Sequence, residues 1–378
     1  MRNVAVFFGG KSCEHEISIV TGVMVLNLLD KTKYTVFPVY IDLQGRTYTS
    51  SSMFDVQIFH EGSRKNFQQI LFEEGTMYAL NKSKRKIKPL AKIDVALNCC
   101  HGGLGEGGGV SALMQWNGIP MASPDMASSA VFMDKALTKL VLQSLNVPTV
   151  EYIRVQESDY RKRAAFLLKR IEPRLKYPVV IKPARLGSSI GITLARDEDA
   201  LKAGLETAFA LDERVIIEKY LLDKVDVNCA AYMRDGEIIV SEPERAFGSG
   251  IYSFEDKYIK KEECEGINKR GFLPNEGGMF EFNGELRDKI RTYTKTVYKR
   301  MHMQGVVRMD FLVSGDCVYL CEVNTVPGSL AYYLFCDRLM DARAFLGDML
   351  EEALVRSVDG EKAILTSGIL KTIDGIVK

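Results

Sequence analysis

No apolar run in this chain approaches the length of about 20 residues that a bilayer-spanning helix needs. The N-terminus runs straight into the strand-like "NVAVFF" rather than into a secretory leader, so the expectation is a cytoplasmic protein with no membrane role. Charge of one sign is missing as well. With 50 Lys and Arg against 49 Asp and Glu, the chain has no blanket attraction to nucleic acid or anionic lipid, and no nucleic-acid partner is expected. The basic cluster "NKSKRKIKP" reads as a solvated loop or helix end. The 8 cysteines show no paired CxxC spacing and sit mostly inside apolar runs, which makes them reduced core thiols. Cys317 and Cys321 have no histidine or second pair nearby to complete a zinc site. A Walker loop is absent too. "FFGGKSCEHEIS" ends its glycine turn in Gly10-Lys11-Ser12, but the position five residues before Gly10 is Ala5, and Glu14 and Glu16 stand where a phosphate would sit. That turn suits a cation.

The chain is long enough, at 378 residues and 46% hydrophobic, for two or three domains with substantial cores. "NVAVFF" reads as a buried strand and "ISIVTGVMVLNLLD" as a helix with Ile17, Val20, Met24 and Leu28 on one stripe. "YTVFPVYID" reads as the next strand. This β-loop-α-β opening predicts a parallel sheet with function at the carboxyl ends of its strands. Residues 45 to 92 are more polar and irregular in pattern. "IDVALNCCHGGLGEGGGV" then carries a strand into a glycine-rich turn holding His101 and Glu106, at the same sheet edge. "MASSAVFMDKALTKLVLQSL" reads as one helical stretch, "YPVVIKP" and "RVIIEKYL" as strands, and "DEDALKAGLETAFAL" as a helix between them.

Chemistry concentrates in "GVVRMDFLVSGDCVYLCEVNTVPGS", two strand-like runs around Ser314-Gly315-Asp316. Alternation puts Arg308 and Asp310 on one face, and Glu322 and Asn324 together on one face. A three-residue turn, pairing Val313 with Cys317, brings all of them to a common face; a two-residue turn separates them. Two carboxylates and an amide among apolar neighbours suit Mg²⁺, with phosphate oxygens completing its shell. Lys182, at the end of the buried run "YPVVIK", is placed to grip a phosphate. "RLGSSIG", with Gly187 and Gly191 bracketing Ser188 and Ser189, can close over phosphates with backbone N–H groups. Glu218 interrupts the β run "VIIEKYL", a segment that can offer backbone groups to a purine edge.

In order and spacing, "FFGGKSCEHEIS", "HGGLGEGG", "MDK", "YPVVIKPARLGSSIGI", "VIIEKYL", "FEDKY", "GVVRMDF" and "CEVNTVPGS" resemble the D-alanine:D-alanine ligases of the ATP-grasp superfamily, through nearly the whole chain. The resemblance implies an α/β, three-domain ATP-grasp architecture with an N-terminal, Rossmann-like parallel-sheet domain. The expected divisions are residues 1–123 for substrate, 124–218 for the central ATP-grasp unit, and 219–378 for the unit with the metal site and lid loop. It implies ATP-driven synthesis of D-alanyl-D-alanine for peptidoglycan through an acyl phosphate, a homodimer, and two Mg²⁺ ions, replaceable by Mn²⁺.

Carried over position by position, Asp310, Glu322 and Asn324 resemble the metal ligands, and Lys135 and Lys182 the lysines on the ATP phosphates. Glu218, with the backbone of Lys219, Tyr220 and Leu221, resembles the adenine-binding linker, and Asp226 falls near the ribose-binding position. Ser188 and Ser189 lie in the phosphate turn. Glu14 matches the carboxylate that receives the first D-alanine's ammonium, with Ser188 and Tyr258 as its hydrogen-bonding partners. Arg308 and the Gly328 N–H match the oxyanion donors. His101 resembles the histidine near the first substrate and Lys257 the lysine near the second substrate's carboxylate, with "AFGSGIYSFEDKYIKK" as the water-excluding lid.

The chain departs from the family pattern at Gly107, at Ser111-Ala112 and, on the acceptor side, in "GSLAYYLF". There Tyr333 stands where the family has the serine that binds the second substrate's carboxylate. Either Tyr333 or Ser329 takes that role, or the pocket is shaped for another acceptor. A ligase joining D-alanine or another amino acid to a different acceptor is therefore the alternative within the superfamily. A non-catalytic nucleotide-binding protein is the alternative outside it, and the full set Asp310, Glu322, Asn324 and Arg308 speaks against that.

Overall fold

The computed structural model describes residues 1–60, 66–81, 86–246 and 284–359. Three sheets carry the site. The first has the order β6-β5-β4-β3-β2-β1-β7. Its centre is β1 (Arg2–Gly9), flanked in parallel by β2 (Tyr34–Ile41) and β7 (Val95–Asn98). Six residues of β1, Val4 to Gly9, are buried, as a strand covered on both faces must be. The parallel core is the one the opening pattern predicts, and its carboxyl ends place the turn after β1 beside the turn after β7. The Ser12 hydroxyl closes that junction by donating to the His101 carbonyl at 2.6 Å.

Two expectations fail here. The irregular stretch from 45 to 92 contains four more strands, β3 (Thr47–Thr49), β4 (Gln68–Glu73), β5 (Thr76–Asn81) and β6 (Lys86–Lys92), which extend the sheet as an antiparallel meander. At the sheet edge, β6 is exposed along nearly all its length, and its mixed sequence of three lysines among Ile87, Pro89, Leu90 and Ala91 leaves its strand pattern faint. The second failure is the stripe on α1 (His15–Leu28). The helix buries Ser18, Ile19, Thr21, Gly22, Val23, Val25, Leu26 and Leu28, whereas Ile17, Val20 and Met24 are only half-buried. It is packed on several sides, by β1 and by the C-terminal segments around 328–334 and 342–359, so no single stripe marks its inner face.

After the one-turn α2 (Gln57–His60) comes α3 (Val110–Trp116). The stretch expected as one helix is two, α4 (Met126–Met133) and α5 (Lys135–Ser144), broken at Asp134. Asp134 is extended and its carboxylate accepts from the N–H groups of Ala136 and Leu137, so it caps α5 instead of continuing α4. The second sheet is antiparallel, in the order β10 (Thr193–Ala195), β9 (Val179–Pro183), β11 (Arg214–Lys219), β8 (Tyr152–Gln156). It shares a core with α6 (Glu157–Leu175) and α7 (Glu198–Phe209).

The third sheet orders β13 (Glu237–Val240), β12 (Val225–Arg234), β15 (Val307–Ser314) and β16 (Cys317–Asn324), with β14 (Glu244–Arg245) also pairing β12. One face packs on α8 (Gly284–Arg300). The other meets α9 (Ala342–Asp359), whose Phe345, Leu346 and Leu350 join Tyr232 of β12 and Val4, Val6 and Phe8 of β1 in one core. That shared core fixes the first and third sheets relative to each other. The site lies where the three sheets converge.

Candidate active site

Of the two turn lengths open to the hairpin of β15 and β16, the structure takes the shorter. Its loop has two residues, Gly315 and Asp316, because Ser314 pairs with Cys317 and Val313 with Val318. Continued unbroken, that register would set Asp310 opposite Cys321 and put Glu322 on the other face. A bulge restores the arrangement. Between Phe311 and Asp310 the register shifts by one, so Asp310 faces Glu322 and Arg308 faces Asn324. Cys321 is the extra residue. The polar side chains therefore share a face after all, by a route that alternation alone does not show. Arg308 grips Asp310 with two hydrogen bonds, Nε to Oδ1 at 2.8 Å and Nη2 to Oδ2 at 2.9 Å, and Asn324 Nδ2 donates to Asp310 Oδ2 at 3.0 Å.

The second sheet points its cations at this face. Lys182 on β9 and Glu218 on β11 lie on the same side of adjacent strands, and Lys182 Nζ sits 2.6 Å from Glu218 Oε2 and 3.6 Å from Cys321 Sγ. Glu218 Oε1 meets Lys139 Nζ at 2.7 Å, which makes a buried Lys-Glu-Lys row. Burial alone would favour protonated Glu218, but Lys139 and Lys182 outweigh it and hold the carboxyl well below its ordinary range. Burial likewise opposes the charge on Lys182, yet the Cys321 sulfur and Glu218 reverse the balance and raise its pKa. Lys135, at the start of α5, donates to the Leu186 carbonyl at 2.6 Å and pairs with Glu322 Oε1 at 2.8 Å, spanning the second and third sheets. Each cation on this face thus rests against a carboxylate: Lys182 on Glu218, Lys135 on Glu322, Arg308 on Asp310.

Glu14 approaches from the first sheet. Its carboxylate accepts from the Ser188 hydroxyl, and it lies against two glycines. A Cβ on Gly102 would come within 2.5 Å of Glu14 Oε2 and one on Gly187 within 2.9 Å, and Gly102 adopts φ of +66°. The turn after β1, the turn after β7 and the 187–191 turn thus converge on one carboxylate. Ser188 and Ser189 themselves adopt φ of 50° and 60°, the left-handed region that a nest of backbone N–H groups uses.

The remaining expected residues are less uniform. His101 is buried with both ring nitrogens engaged, Nδ1 to the Val326 carbonyl and Nε2 to the Thr21 hydroxyl, each at 2.8 Å. Burial pushes its pKa down to about 4, and it is neutral. Tyr333 accepts a hydrogen bond from Arg308 Nη1 at 3.2 Å, so its phenol stands at the hairpin face, while Ser329 is buried and its N–H donates to Thr21 at 3.3 Å. At the end of β11 the Lys219 N–H donates to the Glu151 carbonyl, and in the linker that follows the Tyr220 N–H donates to the Pro178 carbonyl and Leu221 is half-buried. Asp226 pairs with Lys224 at 2.5 Å. Gly328 opens a 3-10 turn, Gly328–Leu334. Lys257 and Tyr258, with the rest of the expected lid, lie outside the described residues.

Two residues escaped the sequence reading, Lys139 and Thr21, and Glu106 was noted there without a role. Lys139 had a signal, since it falls one turn after Lys135 on the inward face of α5 while Leu137 and Leu140 face solvent. A lysine on the buried face of a helix requires a partner. Thr21 gave none, and the role of Glu106 was hidden, because each holds a backbone N–H more than 200 residues away. Chemically, the cleft offers paired cations for a polyanion, a hard oxygen donor set, and a separate carboxylate anchor for an ammonium. Among the described residues no three Asp, Glu, His or Cys side chains gather into a metal cluster, so a cation here would rest on Asp310 and Glu322 with the Asn324 amide oxygen.

Comparison with known proteins finds relatives along nearly the whole chain. The family model for the D-ala D-ala ligase N-terminus matches residues 3–124, and that for the D-ala D-ala ligase C-terminus matches residues 141–342. A D-alanine–D-alanine ligase of Thermosipho africanus is 34% identical over 342 residues, 89% of this chain and 88% of the relative. One from Thermosipho melanesiensis is 31% identical over 375 residues, 98% and 99% of the two chains. Among solved structures, the D-alanine-D-alanine ligase from Helicobacter pylori aligns with a TM-score of 0.73 at 25% identity, over 94% of this chain and 98% of that one.

Proposed function

The chain belongs to the D-alanine–D-alanine ligase family, whose members are ATP-dependent ligases of cell-wall synthesis, and from that premise we propose how its own side chains carry the joining of two D-alanines. A carboxylate is a poor electrophile. The first D-alanine's carboxylate oxygen attacks the γ-phosphorus of ATP, ADP leaves, and an acyl phosphate forms; the second D-alanine's amine then attacks the acyl carbon, loses a proton, and phosphate leaves with the carbon–oxygen bond. Glu14, seated against Gly102, Gly187 and Ser188, receives the first ammonium and so orients that carboxylate.

Lys135 and Lys182 take the phosphates, exchanging Glu322 and Glu218 for the incoming anion. The 187–191 turn, with Ser188 and Ser189, closes over the phosphates with its N–H groups. Glu218 and the 219–221 backbone line the adenine side, and Asp226 the ribose. Arg308 and the Gly328 N–H stabilise the tetrahedral oxyanion. Ser329 and Tyr333 face the acceptor, and Lys257 and Tyr258 complete the two amino-acid sites. Asp310, Glu322 and Asn324, all oxygen donors, fit two Mg²⁺ ions, or Mn²⁺ in their place. When bound, such ions neutralise phosphate charge that the lysines alone would not offset.

The single observation that carries this reading is the bulge at Cys321, because it turns Asp310, Glu322, Arg308 and Asn324 onto one face opposite Lys135 and Lys182. The test is incubation with ATP, Mg²⁺ and a panel of D- and L-amino acids, following phosphate release and product mass. D-alanyl-D-alanine with stoichiometric ADP and phosphate is the expected outcome; ATP binding without turnover on any pair would refute it. A second reading, a different acceptor, is favoured by the phenol of Tyr333 at Arg308, and turnover only with a mixed pair would establish it.

The units 1–123, 124–218 and 219–378, a homodimer, and cytoplasmic residence belong to the same proposal. The three separate sheets support the first. Exposed Leu113 and Trp116, one turn apart on α3, support the second, with sedimentation as its measure. ATP as co-substrate supports the third. Among the described residues no helix is long and apolar enough to cross a membrane.

A further inference from the structure

The turn that follows β16 has an unusual backbone. Ser329, Leu330 and Ala331 adopt φ of 51°, 53° and 49°, three consecutive non-glycine residues in the left-handed region, where each Cβ crowds the following carbonyl. Such a conformation persists only where its surroundings over-determine it. Locally, the Leu330 N–H reaches the Pro327 carbonyl at 2.8 Å. A further restraint comes from the first sheet. Glu106, in the glycine-rich turn after β7, accepts the Gly102 N–H on Oε2 at 2.7 Å and the Val326 N–H on Oε1 at 3.2 Å. His101 takes the other polar group of the same residue, since its Nδ1–H donates to the Val326 carbonyl at 2.8 Å. A carbonyl can only accept, so the proton is on Nδ1, and Nε2 is left as the acceptor of the Thr21 hydroxyl at 2.8 Å. Thr21 in turn accepts the Ser329 N–H at 3.3 Å. Val326, three residues ahead of the left-handed turn, and Ser329, its first residue, are therefore tied to a loop and a helix that belong to the first sheet, through side chains that are buried or half-buried.

We propose that Glu106, His101 and Thr21 form a clamp that positions the 326–331 turn, and with it the Gly328 N–H and the Tyr333 phenol at Arg308. These are positioning residues. Neither nitrogen of His101 faces a substrate, because each is already used within the protein. The clamp couples the first sheet, which carries Glu14, to the third, which carries Arg308, so that donor and acceptor sides keep one spacing. Only the identity of the step it serves rests on the ligase reading.

Steady-state kinetics of H101A, H101N and T21V test this, alongside hydrogen exchange of the 325–335 backbone. In H101A and T21V, kcat falls about 10- to 100-fold, the range that a misplacement near 1 Å produces, while the KM values for ATP and for the first D-alanine stay within about threefold. H101N recovers most of the rate, because an asparagine amide N–H occupies the place of Nδ1 and still donates to Val326. A first-site KM that rises in H101A with kcat unchanged makes His101 a substrate contact and overturns the clamp, as does H101N being no better than H101A. If H101A does not fold, T21V decides, since it keeps the shape and removes only the hydroxyl; full activity in T21V overturns the proposal. Hydrogen exchange reads the clamp without turnover. About tenfold faster exchange is expected in T21V, and unchanged protection refutes it. Should the wild-type chain use an acceptor other than D-alanine, the ligase assignment changes while the same variants test the clamp with that acceptor.

Discussion

Replacing Lys139 by methionine removes the inner cation of the Lys-Glu-Lys row and leaves its stem volume nearly intact. Lys139 is fully buried, 2.7 Å from Glu218 Oε1, 2.7 Å from the Thr149 hydroxyl and 5.0 Å above the Tyr152 ring. Glu218 keeps one partner, Lys182, on its other oxygen at 2.6 Å. Breaking a buried pair by removing one member costs about 3–5 kcal/mol, because the surviving charge is left desolvated. With Lys182 still in place, the lower end, about 3 kcal/mol, is the expectation for K139M. The double variant K139M/E218Q, which removes both charges, is expected to lose less than the sum of the single changes, with a coupling of about 2 kcal/mol. Urea unfolding of all four proteins reads both quantities. A second consequence concerns ATP. Without Lys139, Glu218 leans entirely on Lys182, which then yields less readily to phosphate, so the KM for ATP rises about tenfold while that for D-alanine is unchanged. A destabilisation below about 1 kcal/mol, or a coupling near zero, would refute the account of this row.

Glu14→Gln is expected to raise the KM for the first D-alanine far more than that for ATP, and the reverse pattern would remove Glu14 from its assigned place. Gly102→Ala puts a methyl 2.5 Å from Glu14 Oε2 at a φ of +66°, so the same first-site KM should climb about tenfold or more, with a stability loss of about 1–2 kcal/mol; a variant with unchanged kinetics would show that the glycine contact does not shape the ammonium site. His101 makes a pH prediction. Its pKa falls from 6.5 to about 4 on folding, so the unfolded chain binds more protons between those values, and stability is full above about 6.5 and declines as pH drops toward 4. The gap corresponds to about 3 kcal/mol, measured as the difference in pH dependence between wild type and H101N; parallel curves would contradict it.

Legibility differed between elements for physical reasons. The opening β-loop-α-β unit and the strands around Lys182 and Glu218 were readable because buried strands concentrate apolar residues locally. The meander β3–β6 was not, because β3 to β5 are mostly half-buried and the edge strand β6 is exposed, so their order comes from pairing with neighbours and not from an apolar run. The inner face of α1 was unreadable because packing on several sides erases periodicity. The break at Asp134 was written in the chain, as a capping residue ahead of a lysine, but lay inside an apolar pattern that continues across it.

For the site, the sequence by itself determined the chemical inventory: carboxylates at 14, 310 and 322, cations at 135, 182 and 308, glycines where the chain must pass close to Glu14. Those are local choices of residue type, and motif order alone was enough to connect them to a family. Which of them meet was decided in three dimensions. The two-residue turn would have parted Asp310 from Glu322, and only the extra residue at Cys321 realigns them, a matter of strand register that no side-chain pattern encodes. The ties from Glu106, His101 and Thr21 to Val326 and Ser329 are likewise tertiary, since they join side chains to backbone groups more than 200 residues away, and a backbone N–H or carbonyl looks the same at every position of a sequence.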